Sequence, residues 1–452
     1  MSASETIVAA ATPAGRSALA VVRVDGPLAA VIAHEALRRK TPLAEKTSTL
    51  GIWRNLAGEP VDQVVVVLWH AGRSFTGNDS LEITCHGNPL LVRRLTEDCL
   101  ARGGRLAEPG EFTRRSYLSG RIDLTQAEAV ADLIHASSER ALASARRMLA
   151  GELGRHVARW TDRTLQILAE LEAHIDFPEE DLPPEDPHGP LARLVEITSE
   201  LSAYARTARH DGALRAGLRV AVVGAPNAGK SSLLNALAGA DRAIVSPEAG
   251  TTRDYLEAPV AGLPLAVTAI DTAGLRAGGS ALENLGMTRS LEQARGAHLL
   301  LLVVDASAEP PALPAELDAL LDPARTLVIA NKSDLPAHPA QGNFLPGFAR
   351  LSACLLDGRD AATLRARLGE FLIAREIAPG AEDLVVGVRH AEALARAAAA
   401  LAEAAGHLKA PIQTELAAAQ GRVALDALGE IVGRIDNERM LDKLFASFCI
   451  GK

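Results

Sequence analysis

The chain has 452 residues, 48% of them hydrophobic and 23% charged, and carries a formal net charge of −9. At ~150 residues per domain this length suggests about three domains, with the ordinary composition of a globular chain that has sizeable cores. No apolar run approaches the ~18 residues of a membrane span, and the start "MSASETIVAA" lacks the basic-then-apolar order of a signal peptide. Cys85, Cys99, Cys354 and Cys449 form no CxxC pair, so reduced thiols are expected, neither disulfides nor a zinc site, in a cytoplasmic chain. The acidic balance does not advertise nucleic-acid binding; the arginines of "RRLTEDCLARGGR" and "RALASARRMLAGELGRHVARW" read first as solvated helix faces.

In chain order, residues 1–118 mix strand-like runs, "SALAVVRV" and "DQVVVVLW", with polar turns and a helical stretch over 89–101, which fits an α+β domain. From "LTQAEAVADLI" onward an alanine- and leucine-rich 3.6-residue pattern predicts long helices over some fifty residues. The proline- and acid-rich "DFPEEDLPPEDPHGP" (176–190) then breaks it as a loop would. A helix over about 191–212 leads into an α/β unit, and helical pattern resumes in "RHAEALARAAAALAEAAGHL", "PIQTELAAAQGRVALDALGEIVG" and "NERMLDKLFASFC". Helices on both sides of the α/β unit imply that it is inserted into one helical domain. The expected boundaries are 1–118, 119–214, 215–376 for the insertion and 377–452.

The α/β unit carries the chemistry. "LRVAVV" (218–223) is a buried strand by composition, and "GAPNAGKSSLLNAL" (224–237) follows it with Gly224, Gly229, Lys230 and Ser231 at phosphate-loop spacing. Glycines let the backbone turn its N–H groups toward phosphate at a helix N-terminus, Lys230 reaches the β/γ-phosphates, and Ser231 offers a hydroxyl to Mg²⁺. "AGTTRD" then supplies Thr251 and Thr252, one of which can complete the Mg²⁺ shell. "AVTAIDTAG" ends a strand with Asp271 and Gly274, the metal-side carboxylate and the γ-phosphate sensor. "TLVIANKSD" ends another with Asn331, Lys332 and Asp334, and "RLSAC" brings Ser352 and Ala353 to the tip of a last strand. In NKxD the carboxylate accepts from N1–H and the exocyclic N2–H₂ of guanine; adenine has no such donor pair, so the nucleotide is GTP.

After "DTAG" stands Leu275, which cannot orient a nucleophilic water. Arg276, Glu283 and Asn284 are the nearby candidates, and Glu283 is the only carboxylate among them, although an acid at a helix start also stabilises that helix by its position alone. Asn227, with carbonyls of "SPEAG" (246–250), could hold a potassium ion that neutralises charge as the γ-phosphate departs.

With these residues assembled, the chain resembles the MnmE (TrmE) family of tRNA modification GTPases over essentially its whole length. The marks are "TIVAAATPAGRSALAVVRVDG", "PGEFTRRSYLSGRIDLTQAEAVADLI", "GAPNAGKSSLLN" with "AGTTRD", and the terminal "FCIGK". The resemblance implies an α+β N-terminal folate-binding and dimerisation domain, an all-α helical domain and an inserted α/β P-loop (Ras-like) G domain. It implies GTP contacts at Asn227, Ala228, Gly229, Lys230, Ser231, Ser232, Ser246, Thr251, Thr252, Asp271, Thr272, Ala273, Gly274, Asn331, Lys332, Asp334, Ser352 and Ala353. It further implies potassium at Asn227, Ser246, Glu248 and Thr251, Mg²⁺ at Ser231 and Thr252, and Glu283 as the water-orienting residue.

A reduced folate, in the 5-formyl or 5,10-methylene form, would meet Arg23, Glu82, Arg121 and Lys452, with Cys449 beside the modification chemistry or simply packed. The implied partners are a second copy of the chain, tRNA and a flavin-dependent subunit, which together modify carbon 5 of the wobble uridine. "SPEAG" departs from the family's usual loop at Pro247 and Glu248, which bears on loop stiffness and potassium affinity. A regulatory GTPase switch of ribosome assembly would share every G-domain motif; reduced-folate binding separates the two.

Overall fold

The structure is a computed structural model that describes residues 5–176, 189–238, 257–260, 263, 266–271, 291–356, 360–375, 377, 384–409, 411–433, 438–446, 448 and 451. It divides into two compact units: residues 1–134, 147–198 and 396–452 form one, and 135–146 with 199–395 form the other.

The first unit begins with a six-stranded sheet in which β1 (Ile7–Ala10), β2 (Leu19–Asp25), β3 (Thr49–Arg54), β4 (Pro60–Trp69), β5 (Ser80–His86) and β6 (Arg105–Leu106) are ordered β3-β4-β5-β2-β1-β6. Alternation explains its layering: Val64, Val66 and Leu68 are buried on one face with Val22, Val24, Leu81 and Ile83, under the helices Ala29–Leu37 and Pro89–Ala101. Trp53 is fully buried there, and its indole N–H donates to Asp98 Oδ2 at 2.8 Å. The Asp98 carboxylate is balanced by Arg102 Nε at 2.9 Å, as a buried charge must be. Burial pushes the thiol of Cys85 up to about 11 and that of Cys99 up to about 12, which leaves both protonated and inert near neutral pH.

The fifty-residue helical stretch forms three helices, Leu124–His135, Glu139–Leu149 and Glu152–Asp176, rather than one. The last packs on Thr414–Val432, where Gly421 comes so close that a Cβ would sit 2.7 Å from Leu168 Cδ2. The arginines of the two arginine-bearing segments are largely spoken for: Arg93 pairs with Glu97, Arg105 with Glu111, and Arg147 with Glu152.

The second unit is an α/β sheet of β7 (Leu218–Gly224), β8 (Glu257–Val260), β9 (Val267–Asp271), β10 (Leu299–Asp305), β11 (Thr326–Asn331) and β12 (Ala349–Ala353), ordered β12-β11-β10-β7-β9-β8. All neighbours are parallel except β8 and β9. The central strands bury both faces: Val220, Leu301 and Ile329 enter one core, while Ala221, Leu302 and Val328 enter another. That is why "LRVAVV" and "LLLLVV" are continuous apolar runs instead of alternating ones. The helix expected over 191–212 instead ends at Arg206 and continues as a 3₁₀ turn, Thr207–His210, and a short helix, Asp211–Ala216. Thr207 explains the break, because its hydroxyl lies 3.1 Å from Leu384 O and accepts from Val386 N–H at 3.2 Å, clasping the segments that lead into and out of the sheet.

Candidate functional site

In the second unit, strand register brings the separate motifs to one edge. Gly224 lies opposite Val303, Asp305 opposite Asn331, Asn331 opposite Ala353, and Asp271 opposite Val222. These are the carboxyl ends of parallel strands, where open α/β sheets bind ligands.

The phosphate loop spans β7 and the helix Lys230–Ala238. Asn227 holds a left-handed backbone with φ 62° and is exposed. Gly229 has φ 104°, and a Cβ there would strike Asn331 Nδ2, so only glycine fits. Lys230 is buried, and its ammonium donates to the carbonyls of Gly224 at 3.1 Å and Ala225 at 2.8 Å. Ala228 is buried, while Ser231 and Ser232 are exposed on the first turn of the helix, where a hydroxyl can reach a hydrated metal.

Asn331 ties three loops together. Its Nδ2 donates to Ala228 O at 2.9 Å in the phosphate loop, and its Oδ1 accepts from Leu355 N–H at 3.2 Å beyond β12. Lys332 has φ 63°, and its ammonium is bound by Asp305. Burial raises the Asp305 carboxyl, but hydrogen bonds from Lys332 and Ser307 outweigh this and hold it below the ordinary carboxylate range. Asp334 and Ser352 are exposed and Ala353 is buried. Ser246, Glu248, Thr251, Thr252, Thr272, Ala273, Gly274, Glu283, Cys449 and Lys452 lie outside the described residues, and of Asp271 only the backbone is described. Asp305 was missed by sequence reasoning; the signal was an apolar strand, "LLLLVV", closed by a carboxylate.

In the first unit, Arg23 and Glu82 are directly opposed on β2 and β5. The guanidinium donates to Glu82 Oε1 through Nη2 at 2.6 Å and Nε at 3.2 Å, and lies over the Phe112 ring at 5.7 Å. Arg121 is exposed and donates to Ser74 O at 3.2 Å. The chain's end comes to the same sheet. Phe448 is buried against Phe445, and buried Gly451, with φ 97°, sits so close to the carbonyl of Ala10 that no side chain fits. Ala10 is the neighbour of Ala9, the β1 partner of Arg23.

Two family descriptions match the chain: "MnmE helical domain" over residues 124–449 and "GTP-binding protein TrmE N-terminus" over 6–121. The protein called "tRNA modification GTPase MnmE" from Opitutus terrae is 47% identical over 451 residues, covering 99% of both chains. Proteins with the same description from Akkermansia muciniphila and from a strain of Thermus thermophilus are 40% and 39% identical, covering 99% and 100% of both chains. The chain belongs to the MnmE family of tRNA modification GTPases. The MnmE N-terminal description thus spans the sheet that carries Arg23 and Glu82, and the MnmE helical description starts at Leu124, the first residue of a helix. Among the described residues no helix is long and apolar enough to cross a membrane, and no cluster of histidine, cysteine and carboxylate side chains could hold a metal ion.

Proposed function

We propose that this chain is the GTP-hydrolysing component of a cytoplasmic complex that adds a carboxymethylaminomethyl or aminomethyl group to carbon 5 of the wobble uridine of certain tRNAs. The observation that carries the reading is the seating of Gly451 against Ala10, next to the β1 partner of Arg23, on a sheet different from the one whose strand ends carry Gly224, Asn331 and Ala353. GTP hydrolysis and one-carbon chemistry then occupy separate sites on one chain, with domains 1–118, 119–214, 215–376 and 377–452.

In the nucleotide site, the loop 227–232 and Lys230 receive the phosphates, Asp271 to Gly274 sense the γ-phosphate, and Asn331, Lys332 and Asp334 read guanine beside Ser352 and Ala353. Ser231 and Thr252 would hold Mg²⁺, and Asn227, Ser246, Glu248 and Thr251 would hold K⁺, these two ions supplying charge neutralisation at the transferring phosphoryl group. The left-handed Asn227 fits that role, since it is exposed where a cation from solvent can reach it. Glu283 orients the attacking water.

In the first unit Arg23, Glu82, Arg121 and Lys452 bind a reduced folate, and Cys449 stands beside the transferred carbon. A paired arginine and glutamate offer donors and an acceptor together, which suits a heterocycle carrying both. The sheet face opposite the helix-covered core supports a homodimer: Leu19, Leu50 and Ile52 are 59%, 62% and 46% exposed, with Leu50 beside Val65. An apolar patch of this kind suits an obligate partner; a flavin-dependent subunit completes the complex.

The test is nucleoside analysis of tRNA from cells lacking this chain and from cells complemented with it. Modified wobble uridine that depends on the chain, and on Cys449, is expected. Unchanged tRNA with altered ribosomal particles would favour a regulatory switch instead.

A further inference from the structure

Asp305 closes β10, and its two carboxylate oxygens have different work. Oδ1 accepts from Ser307 N–H at 3.0 Å and from Ser307 Oγ at 2.6 Å, while Oδ2 takes the ammonium of Lys332. The backbone beneath is held as firmly: Asp305 is in register with Asn331, and buried Gln341 donates through Nε2 to the carbonyls of Asp305 and Ala308, both at 2.9 Å. Lys332 itself starts from a left-handed backbone, so its side chain leaves β11 in a direction that few residues adopt.

We infer that Asp305 is a positioning residue for the nucleotide: it holds the Lys332 ammonium so that this lysine meets GTP already ordered. This rests on the guanine-site reading of Asn331, Lys332 and Asp334. A free lysine side chain gives up much rotamer entropy when it is fixed, and a partner that fixes it beforehand lowers that cost at binding. The alternative is an incidental surface ion pair, since the two side chains are 38% and 23% exposed, and such pairs contribute little.

The sign of the effect separates the two. GTP is an anion, so removing a nearby carboxylate would by charge alone tighten binding; removing a positioning group weakens it. Asp305→Asn keeps the Oδ1 acceptor for Ser307 and loses only the acceptor for Lys332. In the full chain, fluorescent GTP and GDP analogues should both bind about 3- to 10-fold more weakly to Asp305→Asn, with kcat at saturating GTP within about twofold of wild type. On a Lys332→Met background the same change should add nothing. Ser307→Ala, which loosens the carboxylate without touching the charge, should weaken binding in the same direction by less. Unchanged or tighter binding by Asp305→Asn, or a full extra loss on the Lys332→Met background, overturns the inference while leaving the guanine site intact. Wild-type affinity in Lys332→Met itself overturns the site reading and the inference with it.

Discussion

Lys230 and Arg23 are cations proposed for anionic or polar ligands, and the two units hold them in opposite ways. Lys230 donates to two peptide carbonyls of its own loop, at 2.8 and 3.1 Å; Arg23 donates twice to a carboxylate 59 residues away. Hydrogen bonds to neutral carbonyls are the weaker kind, and a phosphate outcompetes them. The Arg23–Glu82 pair is charge-balanced, so a ligand gains by using both members and loses by displacing one. On the proposed reading, the nucleotide site suits a highly charged ligand that arrives and leaves, and the N-terminal site suits recognition by shape and hydrogen bonding.

Each unit should fail separately. The largest effect expected is Glu283→Ala, which should slow GTP hydrolysis by about 10²- to 10⁴-fold with GTP affinity unchanged; affinity lost in step with rate would show a structural acid. Replacing K⁺ by Na⁺ at equal ionic strength should slow hydrolysis by as much as about 10³-fold in single-turnover assays. Equal rates would remove the potassium site and make Arg276 the candidate for the charge-neutralising role, as a finger in cis. Asp334→Asn should weaken GTP about tenfold to a hundredfold and favour xanthosine triphosphate, read by competition binding. None of these should alter the first unit. Conversely, Tyr117 donates to Gly433 O at 2.6 Å within that unit, so Tyr117→Phe should cost about 1 kcal/mol of its stability in urea unfolding and leave hydrolysis untouched.

The same contrast governs what could be read in the sequence. The nucleotide motifs are local: a glycine loop after an apolar strand, or a carboxylate three residues after an asparagine, states its chemistry within a few positions. Parallel, doubly buried strands also leave long apolar runs, so β7 and β11 were plain, while the equally apolar run of β10 was overlooked. The N-terminal sheet was harder, because β1 and β6 have only four and two residues, and their pairing depends on partners far away in sequence. Arg23 and Glu82 could be named only through family resemblance; that they oppose one another follows from a register which alternation alone does not reveal. Asp305 was missed although it closes an apolar run, and its hold on Lys332 needed the fold. The breaks in the long helical tract followed weak signals, a pair of serines at 137 and 138 and the glycine at 151.

The separation of two chemistries on one chain is tested most directly by equilibrium binding of 5-formyltetrahydrofolate to the purified full chain, with GTP hydrolysis followed on the same samples. The wild-type chain should bind the folate, Arg23→Ala should lose at least about tenfold in affinity, and both should hydrolyse GTP at the same rate in K⁺. No folate binding by the wild-type chain, or equal binding by Arg23→Ala, would contradict the account.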